Sequence, residues 1–167
     1  ADIESLSMAA WDKIVAVNMT GPMLTAKYAI SLMKQNADGA GGSIILNSSM
    51  NGILALPDNV GYSTTKGALR LLAKSVAVHC ARHGLNIRCN SIHPGVIETA
   101  LIQSAIGAAP DPAAARAQLE RLSPMSRMGA TSEVAGLCVY LASDEAAFVT
   151  GAEYVIDGGS TAGLVGV

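Results

Sequence analysis

The chain has 167 residues, half of them apolar and only 14% charged, with a net charge of −2. That balance fills the core of one domain and excludes a disordered chain, and without a block of Lys or Arg it offers no nucleic-acid surface. No uninterrupted apolar run approaches the roughly 20 residues of a membrane span, and the acidic opening Ala1-Asp2-Ile3-Glu4-Ser5 is unlike a secretory signal, so no membrane partner is expected.

Long helical patterns alternate with short β-branched runs, which predicts βαβ units and a parallel sheet. Ser7 is placed to cap a helix that carries Met8, Trp11, Ile14 and Val15 and continues through Met23 to Met33. Gly21-Pro22 interrupts it and predicts a kink, and Gly39, Gly41 and Gly42 close the element. Ser43-Ile44-Ile45-Leu46-Asn47 reads as a strand buried on both faces, followed by a loop with Gly52, Pro57 and Asp58. A second helix is expected from about Gly61 to His83, with Leu69, Leu72 and Val76 inward and Gly84 as its stop. Asn86 to Ile92 is a second strand, ending in His93-Pro94-Gly95.

Glu98 to Gly129 carries Pro110, Pro112 and Pro124, one Ala-rich helical piece near Ala113 to Leu122 and no strand. An excursion of this length between a strand and a helix predicts a functional lid. Thr131 or Ser132 is expected to cap a third helix ending near Ser143, and Glu153 to Asp157 forms a final strand before Gly158-Gly159. The count is three strands and three main helices. Cys80, Cys89 and Cys138 show no Cys-x-x-Cys spacing and lie in apolar surroundings, which predicts buried free thiols and a reducing, cytoplasmic compartment.

Tyr62 and Lys66 stand four residues apart, on one face of the second helix. A free phenol is a poor acid or base at neutral pH, and a cation held beside one favours its phenolate. Such a pair can donate and accept protons near pH 7, although a surface tyrosine beside a surface lysine has the same spacing. The other tyrosines lack a lysine at that spacing: Leu32 follows Tyr28, Asp144 follows Tyr140 and Gly158 follows Tyr154. Ser49 lies 13 residues before Tyr62, just beyond the first strand. In an open parallel sheet, ligands bind at the carboxyl ends of the strands, and a hydroxyl there can stabilise developing charge. Loop capping is the ordinary use of Ser48 and Ser49, and position favours Ser49 by one residue. Asn18 sits inside the first long helix, where asparagine marks a local irregularity.

In order and spacing, Asn18, Ser49, Tyr62 and Lys66 resemble the Asn-Ser-Tyr-Lys tetrad of the short-chain dehydrogenase/reductase family. The surrounding words are similar too. They are Asn47-Ser48-Ser49, Tyr62-Ser63-Thr64-Thr65-Lys66-Gly67-Ala68, and Asn90-Ser91-Ile92-His93-Pro94-Gly95, whose proline stands 32 residues after Tyr62. Tyr140-Leu141-Ala142-Ser143-Asp144, Val149-Thr150-Gly151 and Asp157-Gly158-Gly159 resemble the family's C-terminal signature. The likeness covers essentially the whole chain.

The resemblance implies a Rossmann-type, doubly wound α/β fold, of which residues 1–167 are the C-terminal catalytic portion with a lid over about 98–129. It implies Tyr62 as general acid/base, Lys66 as its partner and holder of the nicotinamide ribose, Ser49 orienting the substrate, and Asn18 supporting a proton-relay water. Pro94, Gly95, Val96 and Ile97 would line the nicotinamide pocket, with the Ile97 backbone meeting the carboxamide, and Thr99 would reach the amide or phosphate region. The implied cofactor is NAD or NADP, with NAD ahead, and the implied substrate a secondary alcohol or ketone. In wording the C-terminal segments are similar to those of bacterial hydroxysteroid and secondary-alcohol dehydrogenases.

Family members open with a strand and a Thr-Gly-x-x-x-Gly-x-Gly turn, and later carry an Asn-Asn-Ala-Gly motif, neither of which occurs here. Roughly the first third of a family member therefore has no counterpart, the pyrophosphate cradle included. That leaves open a second reading, a non-catalytic fragment or binding subunit of the same fold. An epimerase or dehydratase of the extended branch is a third, with a substrate segment longer than the one available here. The helices Ser7–Gln35 and Gly61–His83 are apolar on more than one face, which suits the dimer or tetramer that the resemblance implies.

His93 is expected to be structural ahead of a substrate contact. His79 and His83 have i, i+4 metal spacing without a third ligand nearby, so no metal is expected. Met50, Met125 and Met128 suit either an adaptable apolar pocket or ordinary core.

Overall fold

The structure is a computed structural model that describes residues 1–37 and 39–163. The first helix, α1 (Met8–Val15), begins at the expected cap, with the Ser7 hydroxyl accepting the Ala10 N–H at 3.2 Å. The irregularity expected near Gly21-Pro22 is a π-helical turn over Ala16–Thr20, and α2 (Gly21–Met33) follows directly. Pro22 has no N–H for the Asn18 carbonyl four residues back, and the chain accommodates this by widening one turn. The single long helix expected here is thus two helices around a wide turn.

The strand β1 runs Gly41–Asn47, two residues earlier than the expected start at Ser43. Gly41 and Gly42 belong to the strand because α2 lies directly over it: a Cβ on Gly42 would stand 2.7 Å from the Met33 sulfur. After a 3₁₀ turn at Met50–Gly52 comes α3 (Val60–Arg82), closed by Gly84 at a φ of +65°, which only glycine adopts readily. The strand β2 (Asn86–Pro94) extends two residues past Ile92, because its end still pairs with β3 (Glu153–Ile156).

All pairings are parallel, in the order β1-β2-β3, with Gly41 opposite Asn86 and Ser91 opposite Glu153. Ile44, Leu46, Ile87 and Cys89 pack on one face against Ala73, Ala77 and Cys80 of α3, with Ile30 and Met33 of α2 alongside. Burial of such apolar surface contributes roughly 25 cal/mol per Å², so this cluster holds the helices on the sheet. On the opposite face the Ser43 hydroxyl and the Arg88 guanidinium both donate to the Leu141 carbonyl, at 2.8 Å each, which docks α6 (Thr131–Ala142). Helices therefore cover both faces, as the near-continuous apolar strands require.

The 98–129 segment contains two helices where one was expected. α4 (Ala100–Gly107) was not anticipated; its cap is Thr99, whose hydroxyl accepts the Ile102 N–H at 3.3 Å. α5 (Pro112–Glu120) matches the Ala-rich piece, capped by Asp111. Arg116 ties the two ends together through Glu98 and Glu120. No strand forms, but an isolated parallel bridge joins Ile97 to Gly129.

The cap of α6 is Ala130, against the expectation of Thr131 or Ser132. The Glu133 carboxylate accepts the Ala130 N–H at 2.7 Å and is itself gripped by Arg127, so the reach-back from the third helical position replaces a hydroxyl cap. Cys80 and Cys89 are buried free thiols as expected, and burial pushes the Cys89 thiol up to about 12. Cys138 is a correction: it is free but only half-buried, on a face of α6 turned partly outward. Among the described residues no helix is long and apolar enough to cross a membrane.

Candidate active site

The carboxyl ends of β1 and β2 lie side by side, because the strands are parallel and in register from Gly41–Asn86 to Asn47–Ile92. Asn47, Ser48 and Ser49 leave one strand where His93, Pro94 and Gly95 leave the other. α3 crosses this edge, and the Ser48 hydroxyl donates to the Lys66 carbonyl at 2.7 Å, stapling the loop to the helix. Gly52 makes that approach possible: a Cβ there would stand 2.8 Å from the Lys66 carbonyl oxygen and 2.7 Å from the Ser48 hydroxyl. From the sequence Gly52 is only a loop residue. Its dipeptide context carries no signal for a contact with a helix 14 residues away.

The Lys66 ammonium donates to the Asn47 carbonyl at 2.8 Å and lies 5.5 Å from the centroid of the Tyr62 ring. One of its three protons is thereby used and two remain. Burial pushes the Lys66 amine below its ordinary value. Tyr62 is half-buried one turn before it. The spacing prediction thus corresponds to an actual pair.

Ser49 is buried at the N-terminus of the 3₁₀ turn, where its hydroxyl oxygen accepts the Asn51 N–H at 3.1 Å. A hydroxyl held as an acceptor keeps its proton for donation elsewhere. Among the described residues no hydrogen bond joins the Ser49 and Tyr62 side chains. Ser48 and Ser49 are therefore distinguished by more than position: Ser48 spends its proton on Lys66, and Ser49 does not.

Asn18 lies within the π-turn, and its amide donates to the Thr65 hydroxyl at 3.2 Å. Thr65, fully buried, passes its own proton to the Tyr62 carbonyl at 2.9 Å. The wide turn is pinned in this way to the helix that carries Tyr62 and Lys66. Asn18 and Lys66 also line one groove beside the free edge of β1, with Gly21 and Asn47. Val96 and Ile97 line a separate cavity, with Ser123, Met125, Arg127 and Gly158.

In the bridge to Gly129, the Glu98 N–H donates to the Gly129 carbonyl at 2.8 Å, and the Gly129 N–H donates to Val96 at 2.9 Å. Parallel-bridge geometry then turns the Ile97 N–H and carbonyl to the other side of the chain. Gly95 meets the residue after β3 so closely that a Cβ would stand 2.8 Å from the Asp157 Cα. Met128 is buried core, whereas Met125 is 60% exposed. His83 bonds the His79 carbonyl through Nδ1 at 2.8 Å, a helix-end contact that uses one nitrogen. Among the described residues no cluster of three metal-binding side chains occurs.

A partly buried charge cluster has no counterpart among the sequence expectations. Glu153, at the start of β3, holds Arg70 and Lys74 of α3 at 2.6 Å each. No local pattern links residues some 80 positions apart; only the β2–β3 register brings them together.

Compared with known proteins, residues 1–161 match the family described as enoyl-(acyl carrier protein) reductase. The chain is 39% identical over 160 residues to an NADP-dependent (R)-specific alcohol dehydrogenase of Lentilactobacillus kefiri, covering 96% of this chain and 61% of that protein. It is 38% identical over 170 residues to a 3-alpha-(or 20-beta)-hydroxysteroid dehydrogenase of Mycobacterium tuberculosis, covering 97% of this chain and 56% of the relative. A third relative, 34% identical and 61% covered, is 2-(S)-hydroxypropyl-CoM dehydrogenase 3 of Xanthobacter autotrophicus. The chain thus spans about three fifths of the length of these relatives.

Proposed function

The chain belongs to the short-chain dehydrogenase/reductase family, and from that premise we propose that the full-length protein carries out reversible hydride transfer between a nicotinamide cofactor and a secondary alcohol or ketone. The observation that carries this reading is the Lys66 ammonium, 5.5 Å from the Tyr62 ring, anchored on the Asn47 carbonyl at the end of a parallel strand. Substrate class follows the relatives, whose names specify alcohol and hydroxysteroid dehydrogenases.

The residues present fit the nicotinamide end of such a cofactor. Lys66 has two protons left for ribose hydroxyls, the Ile97 peptide is turned outward from its bridge, and Pro94, Gly95, Val96 and Thr99 follow on the same strand end. Bound there, the nicotinamide supplies the hydride acceptor or donor. This chain's residues handle the proton and the geometry. The Tyr62 oxygen, as phenolate, takes the alcohol proton in oxidation, and as phenol it returns that proton in reduction, with the Lys66 ammonium beside it. The Ser49 O–H donates to the substrate oxygen, its own oxygen being held by Asn51. Asn18 steadies the π-turn against α3, which supports a proton path past Lys66 to solvent along the groove they share. The 98–129 helices close over the substrate as a lid. Exposed Leu24, Tyr28 and Leu32 on α2, with Leu71 and Val78 on α3, support a homo-oligomer.

Tyr62→Phe keeps the ring and removes the proton-carrying oxygen. In the full-length protein it should lower kcat by roughly three or more orders of magnitude with cofactor affinity retained. Steady-state kinetics with a secondary alcohol series, alongside cofactor titration, tests this. A fully active Tyr62→Phe enzyme rejects the assignment.

A further inference from the structure

His93, next to last in β2, has no exposed surface at all. Both ring nitrogens are engaged: Nδ1 lies 3.1 Å from the Ser49 carbonyl and Nε2 lies 3.0 Å from the Ser91 hydroxyl. A carbonyl only accepts, so Nδ1 carries the ring proton. Nε2 is then the acceptor, and Ser91 donates to it. The partners set the tautomer, and burial keeps the ring neutral. Three charged groups face it. Glu153 stands 3.9 Å from Nε2, and its charge is taken up by Arg70 and Lys74.

The Ser49 carbonyl accepts a second bond, from the Gly52 N–H at 2.9 Å, which closes the 3₁₀ turn. The two bonds fix the peptide plane between Ser49 and Met50. That plane anchors the start of the turn, and the next peptide, linked to it through Met50, presents the Asn51 N–H that holds the Ser49 hydroxyl oxygen. The Gly52 bond belongs to the turn itself and moves with it. The His93 bond comes from β2 and ties the turn to the sheet.

We propose that His93 is a positioning residue for Ser49: its Nδ1–H holds the Ser49 carbonyl, and so aims the hydroxyl that meets the substrate oxygen. The proposal rests on the reading of Ser49 given above. It assigns His93 no proton transfer and no substrate contact.

Two isosteric variants separate positioning from bulk structure. Asparagine at 93 places an amide N–H near the Nδ1 position, whereas glutamine places its amide near Nε2. Both remove the ring from the same packed site. In the full-length protein, His93→Asn should keep kcat within about threefold of the parent and His93→Gln should lower it about tenfold or more, with the cofactor KM unchanged in both. Rates are taken per folded molecule, with the folded fraction read by circular dichroism, so poor folding does not mimic the effect. Equal kcat in the two variants, or an unimpaired His93→Gln, overturns the proposal. The parent reading fails separately: an active Tyr62→Phe enzyme removes it, whereas an inactive Tyr62→Phe with a fully active His93→Gln removes only the role of His93.

Discussion

Lys66 holds three relations in one side chain: a bond to the Asn47 carbonyl, a place over the Tyr62 ring and a share of the groove with Asn18. Its charged form is also the form that burial disfavours, which is why its amine titrates low. The position is therefore suited to proton chemistry and poorly suited to stability. Lys66→Met removes the charge and keeps an apolar chain of similar reach. kcat/KM should fall by about a hundredfold or more, while the melting temperature stays within a few degrees of the parent. Kinetics and a thermal melt on the same preparation check the split. A melting temperature that collapses with activity would mark Lys66 as structural. Ser48 and Ser49 show the same separation of uses. One hydroxyl staples the loop to α3, and the neighbouring one keeps its proton.

At the scale of elements, the site exists because a 3₁₀ turn, a helix and two strand ends meet without spare space. Gly52 is the tightest point, since a side chain there would press on the Lys66 backbone, which cannot move aside. Gly52→Ala should destabilise the protein by about 1–3 kcal/mol and lower activity beyond that loss, because the turn carrying Ser49 must shift. Urea unfolding with parallel kinetics measures both; an alanine variant of parental stability and rate would show that the turn is not sterically fixed. The π-turn at Ala16–Thr20 is the other element-level device, and its cause was legible: Asn18 followed by Gly21-Pro22 announced a break in the helical ladder. Its form was not legible, because a kink and a widened turn leave the same residues behind. α4 was missed for a similar reason. Thr99 is a good cap, but eight residues inside a proline-rich excursion give little periodicity to read.

Across the whole molecule, one polar cluster joins Ser49 to His93, whose Nε2 meets the Ser91 hydroxyl and lies 3.9 Å from Glu153, itself held by Arg70 and Lys74. It links the β1 exit loop, β2, β3 and α3, so acid should act on the fold as a unit. Burial lowers the His93 value, so the folded state resists a proton that the unfolded chain accepts from pH about 6.5 downward. Burial pushes the Glu153 carboxyl up, but its bonds to Lys74 and Arg70 outweigh that and leave it below its ordinary value. Stability therefore falls with pH in two ways: below about 6.5 the unfolded chain takes up a proton that buried His93 refuses, and below about pH 4.5 the stabilisation from the Glu153 ion pairs is lost. Urea midpoints at pH 7.5, 6.0 and 5.0 should decline in steps, and His93→Asn should flatten the decline between 7.5 and 5.0. A midpoint independent of pH over that range would contradict the buried, neutral ring.

By itself the sequence determined the fold class and, by resemblance, the family, and it named four candidate site residues, because apolar runs on the strands, i, i+4 spacing on a helix and punctuation by Gly and Pro are all local. Residues Asn18, Ser49, Tyr62 and Lys66 could be named before any contact was known. The tertiary structure alone decided what each polar group is bonded to. The choice between Ser48 and Ser49 as free donor, the tautomer of His93, the closeness of Gly52 to Lys66 and the charge cluster on Glu153 all depend on strand register. Register joins residues tens of positions apart, through bonds whose partners no local pattern specifies.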